Sequence, residues 1–280
     1  MHHTRISHTA SILANGKVLI TGGENHTDIH NSAELYDPLT KTWAITRSMN
    51  VARVAHTASV LKNGKVLVVG GAGETSAEFA ELYDPATGTW TMTGRMNYAR
   101  SGHTASVLKN GQVLVTGGAI IDYYIEPVNS TELYDPLTGT WTVTGSINSA
   151  RYGHQSSVLP TGKVLITGGD NTANPQRSTE LYDPLTGIWT NTGSMNDARY
   201  DHTLSVLTNG QVLVTGGGYY GNDVRYSTEL YDPSRGNWTM IGNMCDARAS
   251  HTASVLASGE VLLTGGENDN GWPLDSAELY

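Results

Sequence analysis

Six times along this chain an Arg stands three residues before a His: Arg5/His8, Arg53/His56, Arg100/His103, Arg151/His154, Arg199/His202 and Arg248/His251. Fourteen residues after each His a Gly-Gly pair begins, at Gly22, Gly70, Gly117, Gly168, Gly216 and Gly265. Glu-Leu-Tyr then follows, from Glu34, Glu81, Glu132, Glu180, Glu229 and Glu278. In the first five units a Trp stands nine residues after that Glu (Trp43, Trp90, Trp141, Trp189, Trp238), and the next Arg comes ten residues later. Only the stretch from the first Gly to the Glu varies in length. A repeat near 50 residues, rigid except for one loop, describes a single supersecondary unit copied in series. It gives repeats at 1–48, 49–95, 96–146, 147–194, 195–243 and 244–280, and the unbroken period favours one domain over the two that 280 residues would otherwise suggest.

The second repeat serves as template. The run from His56 to Leu61 ends at Asn63-Gly64, a strong hairpin signal because both residues accept positive φ. Val66-Leu67-Val68-Val69 is a continuous apolar run of the sort found in strands buried on both faces. After the variable loop come Glu81-Leu82-Tyr83, a turn at Asp84-Pro85, and Trp90-Thr91-Met92. No segment sustains a 3.6-residue apolar period. Each repeat therefore reads as four short antiparallel strands, the plan of a propeller blade.

The hydrophobic run closed by Gly-Gly, with a spaced Tyr and Trp, resembles the kelch repeat; Val113–Gly118 with Tyr134 and Trp141 shows it. The resemblance runs through all six units. It implies an all-β, six-bladed β-propeller of four-stranded antiparallel blades, with a straight solenoid as the structural alternative. The last unit stops at Tyr280, before the Asp-Pro turn and Trp strand, so its blade is expected to lack the outer strand. Glu278–Tyr280 would then be an open edge, suited to self-association.

The formal net charge is −9, from acids dispersed along the chain. No basic cluster suits a phosphate backbone, so nucleic acid is not an expected partner. No apolar run reaches the ~18 residues of a membrane span, and no signal peptide precedes the first repeat. The reading defaults to the cytoplasm, or to a fragment of a longer protein. Cys245 is the one cysteine, which rules out an intrachain disulfide.

Residues at repeated positions are expected to be scaffold, since every blade solves the same packing problem. The six Arg and six Glu are read as repeated bridges, with Arg chosen for its forked donors. The six His are read as structural side chains bonded to neighbouring backbone; a metal-binding ring of imidazoles is the sharper alternative. Binding is expected where the repeat breaks. The variable loop and the blade-to-blade crossover open on one end of each blade, the Asn-Gly and Asp-Pro turns on the other. Candidate ligand-binding residues in the loops are Tyr123, Tyr124 and Glu126, then Tyr219, Tyr220, Asp223 and Arg225, then Trp272. Tyr and Trp beside acids and Arg suit a protein or peptide contact, with a glycan as the other candidate. No Gly-x-Ser-x-Gly or phosphate loop is present, so no enzyme activity and no cofactor are expected. Some kelch-like propellers are copper radical oxidases; that resemblance would imply a Tyr–Cys crosslink, for which Cys245 is the one thiol, with Tyr and His copper ligands in non-repeated positions, where the histidines are His2, His3, His26 and His30.

Overall fold

A computed structural model describes residues 1–73, 77–219 and 223–280, except for the Tyr219 side chain. The chain divides into two compact units, Met1–Thr144 and Gly145–Tyr280, each holding three blades of the β-propeller class. No helix occurs among the described residues.

In the first unit the second blade pairs Thr57–Val60, Val66–Val69, Ala80–Asp84 and Thr89–Met92 in chain order, all antiparallel. The first and third blades repeat this plan. The second unit has two four-stranded blades and a last blade of three strands, Thr252–Val255, Val261–Thr264 and Ala277–Leu279. There Tyr280 still exchanges both backbone bonds with Val261.

Why these strands pack follows from their apolar content. The second strand of blades two to five is buried along its whole length, and it meets the third strand in register, Val66 opposite Tyr83 and Val68 opposite Glu81. The cores lie between successive blades. Leu61, Leu67 and Val69 of one blade meet Met96, Val113, Val115 and Tyr134 of the next. Each buried Val or Leu contributes about 1.5–3 kcal/mol by leaving water.

The Tyr–Trp pair joins blades as well as strands. The Tyr83 and Trp90 rings lie 5.0 Å apart, facing across the third and fourth strands. Their polar tips reach back to the preceding blade: the Tyr83 hydroxyl lies 3.0 Å from Thr46 Oγ1, and Trp90 Nε1 donates to the Arg47 carbonyl at 2.8 Å. Tyr134 and Trp141 repeat this on Thr93 and Gly94.

Two of the variable loops carry strands where the sequence pattern shows only irregular chain. The third forms a hairpin, Ala119–Ile121 with Ile125–Pro127, and the fifth a shorter one, Gly218–Tyr219 with Asp223–Val224. The β-branched residues on either side of Asp122-Tyr123-Tyr124 supply the strand preference in the third loop.

Candidate functional site

The repeated Arg builds the loop end of every blade. Arg53 has no exposed surface; its Nη1 donates to the Gly70 and Phe79 carbonyls, and its Nη2 donates to Glu81 at 2.9 Å. Glu81 in turn accepts from the Asn50 backbone and side-chain amides and from the Val51 backbone. A buried carboxylate is thus matched by one guanidinium and three N–H donors, the condition for tolerating its burial. The same pairs recur within each blade: Arg5–Glu34, Arg100–Glu132, Arg151–Glu180, Arg199–Glu229 and Arg248–Glu278, at 2.7 to 3.1 Å. In four blades an Asn three residues before the Arg caps the carboxylate; His2 does so in the first, and in the last the Cys245 and Asp246 backbone amides do. Burial by itself would raise Glu34, but the bonds from His2, His3 and Arg5 win and hold it at about 2.

The repeated His reaches the preceding blade. His56 Nε2 lies 3.0 Å from the Thr9 hydroxyl and 3.3 Å from that of Thr21, and His251 does the same on Thr203 and Thr215. His103 follows suit, with Nε2 2.9 Å from the Thr57 hydroxyl. Beyond the expected backbone partners, these rings take threonine side chains at Nε2, because the Thr that follows the His in five of the six repeats stands on the first strand of its blade and, as at Thr9, Thr57 and Thr203, faces the next imidazole. At His56 the Arg53 backbone also engages the ring. His154 is buried against its own blade, where a Cβ on Gly169 would stand 2.8 Å from its Cβ, and a positive charge on it would oppose protonation of His202. Burial first, and the neighbouring Arg next, push His56 down to about 3 and His251 to about 4. Those two imidazoles are neutral at neutral pH.

The Gly-Gly pair is where this contact needs space. Gly22 adopts φ +60°, and a Cβ there would stand 2.5 Å from the Arg53 carbonyl and 2.7 Å from His56 Cε1. Gly23, at φ +88°, donates its N–H to that same carbonyl. Gly70 leaves the same room for the Arg100 carbonyl and His103 Cε1.

The residue before each His is left-handed too: Ser7, Ala55 and Gly102 in the first unit, Gly153, Asp201 and Ser250 in the second, with φ between 50° and 61°. These residues are chained by backbone bonds from blade to blade. Ala55 donates to Ser7 and Gly102 to Ala55; Asp201 donates to Gly153 and Ser250 to Asp201.

The residue after the Arg bridges antiparallel to the residue after Gly-Gly, as in Val54 with Ala72 and Tyr152 with Asp170. Crossover and variable loop therefore share one end of the blade. On that end the third-loop hairpin carries Tyr123 and Tyr124 at its tip, 91% and 86% exposed, with Glu126 exposed beside them. In the second unit Trp272 is 68% exposed, Arg225 pairs with Asp223 at 3.1 Å, and the Val224 backbone donates to Asp269 of the next loop. Of the two remaining candidates, the Tyr219 side chain and Tyr220 lie outside the described residues.

Among the described residues no three His, Cys, Asp or Glu side chains gather closely enough to hold a metal ion. Cys245 is exposed and its backbone amide is engaged by Glu278.

The sequence profile described as the KLHDC2/KLHL20/DRC7 Kelch-repeats domain matches residues 7–217. No curated protein matches. Among solved structures, a fungal alcohol oxidase of the AA5 family in complex with copper superposes with a TM-score of 0.79 at 20% identity. That match covers 95% of this chain and 59% of the oxidase, so this chain spans well under two thirds of it. At that identity the likeness concerns the fold, which hosts many functions. With three quarters of its length under one profile, and Gly-Gly, Tyr and Trp in register, the chain belongs to the Kelch-repeat family.

Proposed function

We propose that the chain is a non-catalytic interaction module that binds a protein or peptide through the loop ends of its blades. The observation that carries this is the third-loop hairpin, which holds Tyr123 and Tyr124 out in solvent on a rigid frame. Exposed Ile121 and Ile125 flank them. Paired aromatics on a short hairpin present a large contact area at low entropic cost, the composition of interaction hot spots. The Kelch family supports the reading, because its repeat domains generally bind proteins. Glu126, Asp223, Arg225 and Trp272 supply polar and stacking contacts at the same ends of their blades.

The test is affinity capture from native extract with quantitative mass spectrometry, comparing the wild type with Tyr123→Ala/Tyr124→Ala. A partner retained by the wild type, and by a Leu137→Ala control at an exposed turn, should be lost from the double variant. A partner held equally by all three would place binding elsewhere. Trp272 beside Asn268 and Asn270 favours a second reading, glycan binding by ring stacking. A glycan array probed with wild type and Trp272→Ala separates the two.

A further inference from the structure

We propose that the loop ends of the blades in Gly145–Tyr280 receive a cationic peptide segment, with a lysine or arginine side chain entering the recess beside Asp201. This rests on the protein-binding reading and adds the chemistry of the partner.

All six lysines of the chain, Lys17, Lys41, Lys62, Lys65, Lys109 and Lys163, lie in turns between first and second or third and fourth strands, at the end away from the loops. The buried Arg–Glu pairs cancel. Outside them, the loops and crossovers of the second unit hold eight acids against Arg177 and Arg225, an excess of six negative charges. The turn ends of the same unit hold three acids against Lys163 and Arg235, an excess of one. Arg225, moreover, is engaged by Asp223. Like charges gathered on one end of a rigid frame repel one another, and a partner of opposite sign relieves that repulsion and is steered to it.

A recess of about 460 Å³ is lined by Gln155, Asp201, Thr203, Ser250 and Thr252, with His202 and His251 behind them. That volume is within the usual range for side-chain and ligand sites. The crossover-to-loop bridges Tyr152–Asp170 and Ala249–Glu267 bring two more carboxylates to the same end. The protein around the recess, then Glu267 and Asp170, push Asp201 up to about 6, the mark of a carboxylate short of positive company. Among the described residues, no donor or cation bonds the Asp201 carboxylate.

In the wall of the recess, His202 is 1% exposed and places Nε2 on Thr167, while its Nδ1 has no partner among the described residues. Burial and Arg199 hold His202 well below the usual imidazole range. The wall therefore holds no positive charge to repel a cation. Tyr200, adjacent in sequence to Asp201, packs its ring over Gly218 and gives a cation an aromatic face beside the recess.

The experiment is fluorescence anisotropy of the whole chain with fluorescein-labelled Gly-Ser-Arg-Lys-Ser-Arg-Gly-Ser, and with the same peptide carrying Gln at its basic positions. The basic peptide should bind at least about tenfold more tightly, and its affinity should fall steeply with added salt. Asp201→Asn and Glu267→Gln should each weaken it about fivefold or more. Asp183→Asn, at a turn end, should leave it unchanged. Asn accepts the left-handed backbone at position 201, and a melting curve confirms that each variant is folded. Equal binding of the two peptides, or indifference to both loop substitutions, overturns the proposal. A captured partner that is lost from Tyr123→Ala/Tyr124→Ala yet indifferent to Asp201→Asn would also overturn it, while leaving the interaction reading in place.

Discussion

Replacing Arg151 by Met removes a guanidinium with no exposed surface and leaves its acceptors behind. Arg151 donates through Nε to the Ser149 carbonyl, through Nη1 to the Gly168 and Ser178 carbonyls, and through Nη2 to the Ser178 hydroxyl and Glu180. Methionine fills part of the volume and returns none of these bonds. Glu180 keeps the Asn148 and Ser149 amides but loses its counter-charge inside the protein. Breaking a buried pair from one side costs roughly 3–5 kcal/mol, a large share of the ~5–15 kcal/mol that holds a typical domain folded. Urea titration at neutral pH, followed by tryptophan fluorescence, measures the loss. Arg47→Met, on an exposed crossover, should shift the midpoint by less than about 0.5 kcal/mol. Pairing Arg151→Met with Glu180→Gln should recover part of the loss, since the second change removes the orphaned charge. A drop below about 1 kcal/mol for Arg151→Met, or no recovery in the double variant, would refute the argument that charge pairing is what the guanidinium supplies.

Acid should unfold the chain in two stages. His56 and His251 titrate lower in the fold than when unfolded, so stability is full above pH ~6.5 and is lost as pH falls toward their folded values of about 3 and 4. Glu34, held at about 2, adds its own loss below pH ~4.5, whereas Asp201, raised to about 6, acts in the opposite sense between pH ~6 and ~4. His251→Gln should flatten the loss between pH 6.5 and 4.5 in thermal melts, and an unchanged profile would contradict it. Gly22→Ala should destabilise by several kcal/mol and Gly16→Ala by only about 1–2, because both have positive φ but only Gly22 has neighbours within reach of a Cβ; equal melting temperatures would contradict this. Ala55→Gly should stabilise by about 0.5–1 kcal/mol, relieving an Ala at φ 52° where Gly102 and Gly153 already stand in sibling blades. A lower melting temperature would sink that reasoning.

Much of the frame is legible in the sequence because it is solved the same way six times. One Arg and one Glu in every repeat point to a bridge such as Arg151 with Glu180 before any coordinates exist, although the loop between them varies in length. Two further signals lie in the same repetition. Asn50, Asn97, Asn148 and Asn196 stand three residues before their Arg, and they cap the carboxylate. A Thr follows the His in five of six repeats, and several of these threonines receive the next blade's imidazole, as Thr57 receives His103. The exception is Gln155, after His154. The polarity of charge is a different matter. Asp170, Asp201 and Glu267 are scattered across three repeats at positions that vary between repeats, whereas Asp183 and Asp232 recur in the Asp-Pro turns. Their gathering at one end rests on strand direction, which sends loops to one end and turns to the other. The hairpin beneath Tyr123 and Tyr124 is hidden for a related reason: Ile120, Ile121 and Ile125 interrupt a polar loop too briefly for a periodic pattern to register.

The variable loop is clamped at both of its ends. Gly22 and Gly23 are pinned beneath the Arg53 carbonyl where the loop begins, and the Ser32 carbonyl and hydroxyl are held by Arg5 where it ends. Whatever is spliced between those clamps meets a fixed mouth. The ~0.6 kcal/mol closure cost of doubling a loop's length is small against the buried bridge that secures it. Where both clamps are present the repeat is in that sense a socket, and recognition can be rewritten there by cassette exchange without renegotiating the frame.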